Sequence, residues 1–68
     1  AEPTPYIGQI VKVQYGTQVK VSQITRILDE GTKGLRYRVK YCGSKKYKAS
    51  DFMELSEEER TQIDLIQN

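Results

Sequence analysis

The stretch LRYRVKY in the middle of the chain constrains the fold more than any other feature. Apolar or aromatic side chains fill every second position, and arginine or lysine fills the positions between them. Because successive side chains of a β-strand point to opposite faces, this pattern predicts a strand with one buried and one cationic face. The tyrosines, Tyr37 and Tyr41, then belong either to the core or to a ligand site. The cations, Arg36, Arg38 and Lys40, form either a solvated face or a docking surface.

The length and composition of the chain limit what this strand belongs to. The chain has 68 residues, of which 37% are hydrophobic and 29% are charged. A domain of this size buries only about 60% of the surface that its unfolded chain exposes, so its core is thin. This composition differs from that of disordered chains. We therefore expect one small folded domain without room for an enclosed active site.

Residues that carry catalytic or metal chemistry are sparse. The chain has no histidine and one cysteine, Cys42, so it offers neither a disulfide framework nor a zinc site. The adjacent carboxylates Asp29 and Glu30 lie in a glycine-flanked loop, where we interpret them as a solvated turn. We predict an intracellular protein that is not an enzyme and that uses no metal and no cofactor.

Two strands precede the alternating stretch. QIVKVQY, which lies between two glycines, alternates in the same way and predicts a first strand that ends in a turn. TQVKVSQITRIL restarts the alternation with Val19 and Val21 and then changes phase at Ser22 and Gln23. A change of phase inside a β-branched run predicts a bulge or a sharp bend in the second strand.

The turns around the third strand and two further strands are predicted by the chain after the second strand. Gly31 and Gly34 indicate a hairpin loop, and Gly43 indicates a turn before a short fourth strand, YKAS. SDFMEL predicts a brief helical turn and a fifth strand that closes the sheet. The predicted core, formed by one face of each strand and by the aromatic residue of SDFMEL, comprises Val11, Val13, Val21, Ile24, Tyr37, Val39 and Phe52.

The C-terminal segment has a different period. Ser56 followed three residues later by Glu59 is typical of a capping box, and three consecutive glutamates suit the positive end of a helix dipole. A helix over about residues 57–66 is predicted, with Ile63 and Ile66 one turn apart and facing the sheet. The chain then divides into an extended arm, a β body and an acidic helix, at 1–7, 8–55 and 56–68.

Charge is distributed unevenly between the body and the helix. Residues 10–50 contain ten cationic and two acidic side chains, a net charge of +8. Residues 51–68 contain one arginine and six acidic side chains, a net charge of −5. This asymmetry favours a polyanionic or acidic partner for the body.

The third strand and the segments after it resemble those of Tudor and chromo-barrel domains. The resemblance covers residues 8–55 and implies a five-stranded SH3-like barrel with a C-terminal helix. Many members of these families bind methylated lysine or arginine in an aromatic cage, where ring faces attract a cation. The resemblance is carried by Tyr37, Val39, Tyr41, Gly43, Asp51 and Phe52. The residues that it implies for a cage, degenerate because the chain has no tryptophan, are Tyr15, Tyr41, Tyr47 and Phe52.

The cationic face is the second candidate site. Alternate side chains of a strand lie about 7 Å apart, a spacing comparable to that of successive phosphates along a nucleic acid strand. Such a face binds the backbone without reading bases. The predicted nucleic-acid-binding residues are Arg36, Arg38, Lys40, Lys45, Lys46 and Lys48.

Two classes of function follow. The first is a chromatin-associated, nuclear binding module that docks nucleic acid or a histone tail through the cationic face. The alternative is a protein-interaction module, which either reads methylated lysine or arginine with a degenerate cage or assembles through the acidic helix. Either module is expected to belong to a larger protein or complex. No apolar run in the sequence reaches the roughly 20 residues of a membrane span.

Overall fold

Residues 4–67, the part of the chain that the computed structural model describes, contain four antiparallel strands and one α-helix. Each strand pairs with the one before it, in the order β1-β2-β3-β4. The mainly β class and the C-terminal helix are therefore confirmed, whereas these residues form four strands in place of the predicted five. The elements are β1 (Ile10–Tyr15), β2 (Gln18–Asp29), β3 (Leu35–Val39), β4 (Lys46–Tyr47) and α1 (Glu57–Gln67).

The segment predicted to form the fifth strand makes one isolated bridge to β1. A 3₁₀ turn at Ala49–Asp51 interrupts the chain after β4, and the Asp51 carboxylate accepts a hydrogen bond of 2.9 Å from the backbone N–H of Lys48. The backbone N–H of Met53 then donates to the carbonyl oxygen of Lys12 at 2.7 Å. One bridge brings the chain back to β1 but does not extend into a strand.

The predicted change of phase in β2 is present, but it lies two to three residues later than the sequence indicated. The register against β3 shifts between Ile24 and Arg26. Ile24 and Ile27 therefore both turn toward the core, while Arg26 turns to the opposite, outer face of the sheet. Val21, before the bulge, is 44% exposed, so its assignment to the core was wrong.

The core lies on one face of this bent sheet. Five of the seven predicted core residues are buried, and Phe52 is half-buried, with its ring centroid 5.6 Å from that of Tyr37. The prediction missed Cys42 and Tyr47, which are 0% and 2% exposed. The buried set is Val11, Val13, Ile24, Tyr37, Val39, Cys42 and Tyr47.

Tyr47 shows how this thin core accommodates a polar group. Its hydroxyl donates a hydrogen bond of 3.0 Å to the carbonyl oxygen of Gln14, which links β4 to β1. Burial, followed by the hydrogen bond and charge of the neighbouring Cys42, raises the pKa of Tyr47 to about 12. The folded protein therefore favours the protonated, neutral form of the Tyr47 hydroxyl.

We expect the protein to lose stability in alkaline solution through Tyr47. The unfolded chain releases the tyrosine proton near its ordinary pKa of about 10, whereas the folded chain retains it to about 12, so rising pH favours unfolding. This difference corresponds to a loss of about 2 to 3 kcal/mol across that interval. Urea denaturation of the parent and of Tyr47→Phe measures it, because the variant lacks the titrating hydroxyl. An equal alkaline loss in both proteins would contradict the assignment.

Helix α1 lies on the outer face of the first half of the sheet. The predicted capping box is confirmed: Glu59 N–H donates to Ser56 Oγ at 3.1 Å, and Ser56 N–H donates to Glu59 Oε1 at 3.0 Å. Lys12 on β1 forms an ion pair with Glu59 at 3.1 Å. Ile63 is half-buried, whereas Ile66 is 81% exposed and is not buried against the sheet, contrary to the prediction.

No helix within residues 4–67 has the length and apolar character that crossing a membrane requires.

Candidate nucleic-acid interface

Three cationic side chains lie side by side across the outer face of the sheet. Arg26 on β2 pairs with Arg38 on β3, and Arg38 pairs with Lys46 on β4. Directly paired residues of antiparallel strands project from the same face, and neighbouring strands are about 4.8 Å apart. We call Arg26, Arg38 and Lys46 the cation row.

A second line of cations crosses this row at Arg38. Arg36 and Arg38 project from the same face of β3, and Lys40 follows at the next alternate position. The Lys40 backbone N–H still donates to the Gln23 carbonyl oxygen at 2.9 Å, so the pairing continues just past the end of the strand. We call Arg36, Arg38 and Lys40 the β3 line. Arg38 belongs to both sets and lies at their intersection.

The cation row is incompletely neutralised by the protein itself. Lys46 forms an ion pair of 2.7 Å with Glu30, and this hydrogen bond is the main cause that lowers the pKa of the Glu30 carboxyl. Within residues 4–67, neither Arg26 nor Arg38 has a carboxylate within ion-pair distance. The Arg38 guanidinium donates to the carbonyl oxygen of Gly43, at 3.3 Å. Two arginines of the row thus keep most of their donors available to an anion.

The structure divides the six predicted phosphate-binding residues into two groups. Arg38 and Lys46 belong to the row, and Arg36 and Lys40 are the alternate positions on either side of Arg38. Arg36 Nη1 donates to the carbonyl oxygens of Lys33 and Leu35 at 2.6 and 3.0 Å. Lys45 is placed elsewhere, because its ammonium lies 5.0 Å from the ring centroid of Tyr47, which faces the core. Lys48 is exposed and precedes the 3₁₀ turn, beyond the end of β4.

Two of the four predicted cage residues belong to the core. Tyr47 is 2% exposed, and its ring centroid lies 6.4 Å from that of Phe52. Phe52 in turn packs against Tyr37. The side chain of Tyr47 does not reach the surface where a methylated ligand would bind, so its assignment to a cage wall is corrected to a core position.

The other two predicted cage residues differ in environment, because Tyr15 packs against the core cluster that contains Tyr47 whereas Tyr41 lies outside it. Tyr15 is half-buried at the end of β1, whereas Tyr41 is 74% exposed. A lysine of the protein lies over one face of each ring: Lys20 Nζ is 5.0 Å from the Tyr15 centroid, and Lys40 Nζ is 5.2 Å from that of Tyr41. The four predicted residues therefore do not form one open cage for a methylated cation.

The glycine of the turn after β3 is required by both backbone and packing. Gly43 has a φ of 58°, in the left-handed region. A Cβ atom at this position would lie 2.9 Å from the hydroxyl oxygen of Tyr15. The turn that follows the β3 line is thus held closely against the end of β1.

The glutamates in the first turn of the acidic helix lie beside a different part of the sheet from the cation row. An open groove of about 660 Å³ is lined by the glutamates of its first turn and by Val21. Carboxylates at this groove repel phosphate, so it is the less suitable surface for a polyanion. The ion pair of Lys12 with Glu59 also places this acidic surface at β1, away from the cation row.

Arg26 is the member of the site that was not predicted from the sequence. The sequence feature that indicates its direction is the change of phase in β2. Because that change was predicted at Ser22 and Gln23, the outward direction of Arg26 was not recognised.

The fold and site together define a small antiparallel β domain with a cationic sheet face. Comparison of the chain with protein-family models, with curated proteins and with solved structures finds no match.

Proposed function

We propose that the protein binds the phosphate backbone of nucleic acid, weakly and without sequence preference, through the cation row and the β3 line. The observation that carries this proposal is the placement of Arg26, Arg38 and Lys46 directly beside one another. Like charges in directly paired positions destabilise a sheet. A bound phosphate relieves this repulsion, and an arginine can donate two parallel hydrogen bonds to its oxygens.

The form of the surface supports backbone binding over base reading. The cations extend from a sheet face, and Arg26, Lys40 and Lys46 are exposed. Contacts to phosphate position a protein on nucleic acid, whereas sequence is read by groups that reach base edges in a groove. Nonspecific binding of this type has a dissociation constant of about 10⁻⁶ to 10⁻⁴ M at physiological salt.

The proposal extends to the fold family and to the cellular setting. We propose that the sheet is the body of an SH3-like barrel related to Tudor and chromo-barrel domains. The bent β2, and the bridge that returns Met53 to β1, support this proposal. Such a module fits a chromatin-associated protein in the nucleus, where nucleic acid is the partner that we favour over a histone tail.

The salt dependence of binding tests the proposal. Each phosphate neutralised on a duplex contributes about −0.9 to the slope of log K against log salt, so the cation row alone predicts a slope of about −3. Adding Arg36 and Lys40 brings the slope to about −4.5. Affinity for a fluorescein-labelled duplex should then fall about 40- to 500-fold between about 50 and 200 mM salt. Absence of binding at about 50 mM salt, where backbone attraction is strong, would rule the proposal out.

The second candidate function is a protein contact made by the acidic helix. Leu65 and Ile66 near the end of α1 are 71% and 81% exposed, which is unusual for an apolar helix face that packs on its own domain. An apolar contact depends little on salt, because screening acts on charges. Sedimentation of the protein at low and high salt therefore separates assembly through the helix from binding through the cation row.

A further inference from the structure

Tyr41 lies at the end of the β3 line in an unusual conformation. Among residues 4–67 it is the one residue other than glycine with a positive φ, 65°. A residue with a Cβ atom is strained in this region, which glycine and asparagine adopt more readily. The side chain is nevertheless 74% exposed, so burial of the ring does not explain why a tyrosine occupies this position.

Side chains of β2 hold the backbone of Tyr41 in place. Lys20 Nζ donates to the Tyr41 carbonyl oxygen at 3.0 Å, and Ser22 Oγ donates to the Lys40 carbonyl oxygen at 2.8 Å. These two bonds fix successive carbonyl groups of the turn. The ring is therefore presented to solvent by a turn that is anchored to the sheet, and it needs little reorganisation to meet a ligand.

The Tyr41 ring also lines a second groove, which differs from the groove lined by the glutamates of α1. This groove has a volume of about 400 Å³, within the range of small-ligand sites. Its lining combines the aromatic ring with aliphatic side chains of β2 and α1, and Lys40 at one side. The residues that define it here are Val21, Lys40, Tyr41, Ile63 and Ile66.

We propose that the ligand is single-stranded nucleic acid and that one of its bases stacks on Tyr41; this inference rests on the proposed backbone binding. The β3 line leads directly to the ring, and Lys40 Nζ lies 5.2 Å from its centroid. Cations that follow a backbone, combined with an exposed aromatic ring, are the two components of single-strand recognition. A base can stack on Tyr41 only when the face of that base is free. In an intact duplex, neighbouring base pairs cover the faces of the bases.

The test compares single-stranded and duplex probes with variants at position 41. Fluorescence anisotropy measures binding of labelled oligothymidylate and oligouridylate of about 15 nucleotides, and of a duplex of the same length, at about 50 mM salt. Tyr41→Asn removes the ring but tolerates the left-handed backbone, and Tyr41→Phe keeps the ring. We expect Tyr41→Asn to weaken single-strand binding about 5- to 100-fold and Tyr41→Phe to retain it, with duplex binding unchanged in both.

The outcomes distinguish this inference from the proposal beneath it. Equal affinity of the parent for single strands and duplex, with no effect of Tyr41→Asn, would overturn the stacking role and leave backbone binding in place. No binding of any probe by the parent would overturn both. If Tyr41→Asn changes the sedimentation of the protein but not its affinity for single strands, Tyr41 serves a protein contact and the inference is wrong. Thermal unfolding of each variant verifies that the fold is retained.

Discussion

Replacing Val39 by Asp is expected to unfold the protein. Val39 is 3% exposed, pairs with Ile24 and belongs to the single buried cluster of the sheet. An uncompensated carboxylate at such a site costs several kcal/mol, about 3 to 5 when a buried charge lacks its partner. A domain of this length has a total stability of roughly 3 to 10 kcal/mol, at the usual value per residue. Circular dichroism and the absence of a cooperative thermal transition measure the effect.

Val19→Asp is the matched control for this substitution. Val19 lies in β2, a strand of the same sheet that contains Val39, but Val19 is 50% exposed. The same chemical change should therefore cost about 1 kcal/mol or less. If Val39→Asp folds cooperatively with a midpoint close to that of Val19→Asp, the assignment of the buried face is wrong.

Reversing the charge of Arg26 and Arg38, the two arginines of the cation row, is expected to have the largest effect on binding. Arg26→Glu with Arg38→Glu removes two of the three cations of the row and places carboxylates where phosphate would bind. Each lost phosphate contact reduces the salt slope by about 1, so the slope should fall by about 2. We expect affinity for single strands and duplex to fall on the order of 100-fold at about 50 mM salt, which takes weak binding beyond detection.

Two comparisons show whether this loss depends on position or on net charge. Lys33→Glu with Arg60→Glu makes the same change in net charge at exposed residues outside the row, and it should weaken binding only slightly. Glu30→Gln acts in the opposite direction, because it removes the carboxylate that pairs with Lys46, and should strengthen binding. Equal losses in the two double variants would show that overall charge, and not the cation row, attracts the nucleic acid.

Local patterns were sufficient to predict most of the secondary structure. Alternation over β1 and β3, the glycine turns and the capping box of Ser56 and Glu59 all depend on residues close in the chain, where strand and helix periods act directly. The buried positions of Val13 and Tyr37 followed from the same alternation. The predicted face of Arg36 and Arg38 also followed from it, since β3 is regular.

Predictions that depended on how segments meet in space were less successful. The resemblance to Tudor and chromo-barrel domains implied Tyr47 as a cage residue, but pairing of β4 with β3 places it opposite Tyr37 in the core. Met53 makes only one bridge to β1, because the 3₁₀ turn before it redirects the chain. Neither outcome is encoded in a local period, since each depends on contacts between distant residues.

Three properties are encoded locally along the chain: its mainly β character, the helix after the β body and the cations on one face of β3. These properties result from side-chain period, turn residues and helix capping, which act over a few neighbouring positions. Contacts between distant segments place Arg26 beside Arg38 and Lys46, and they leave Tyr41 as the exposed member of the four predicted cage residues. The position of Arg26 results from the bulge between Ile24 and Arg26, because a shift of one residue in register exchanges the two faces of a strand, and pairing with β3 sets where that shift occurs.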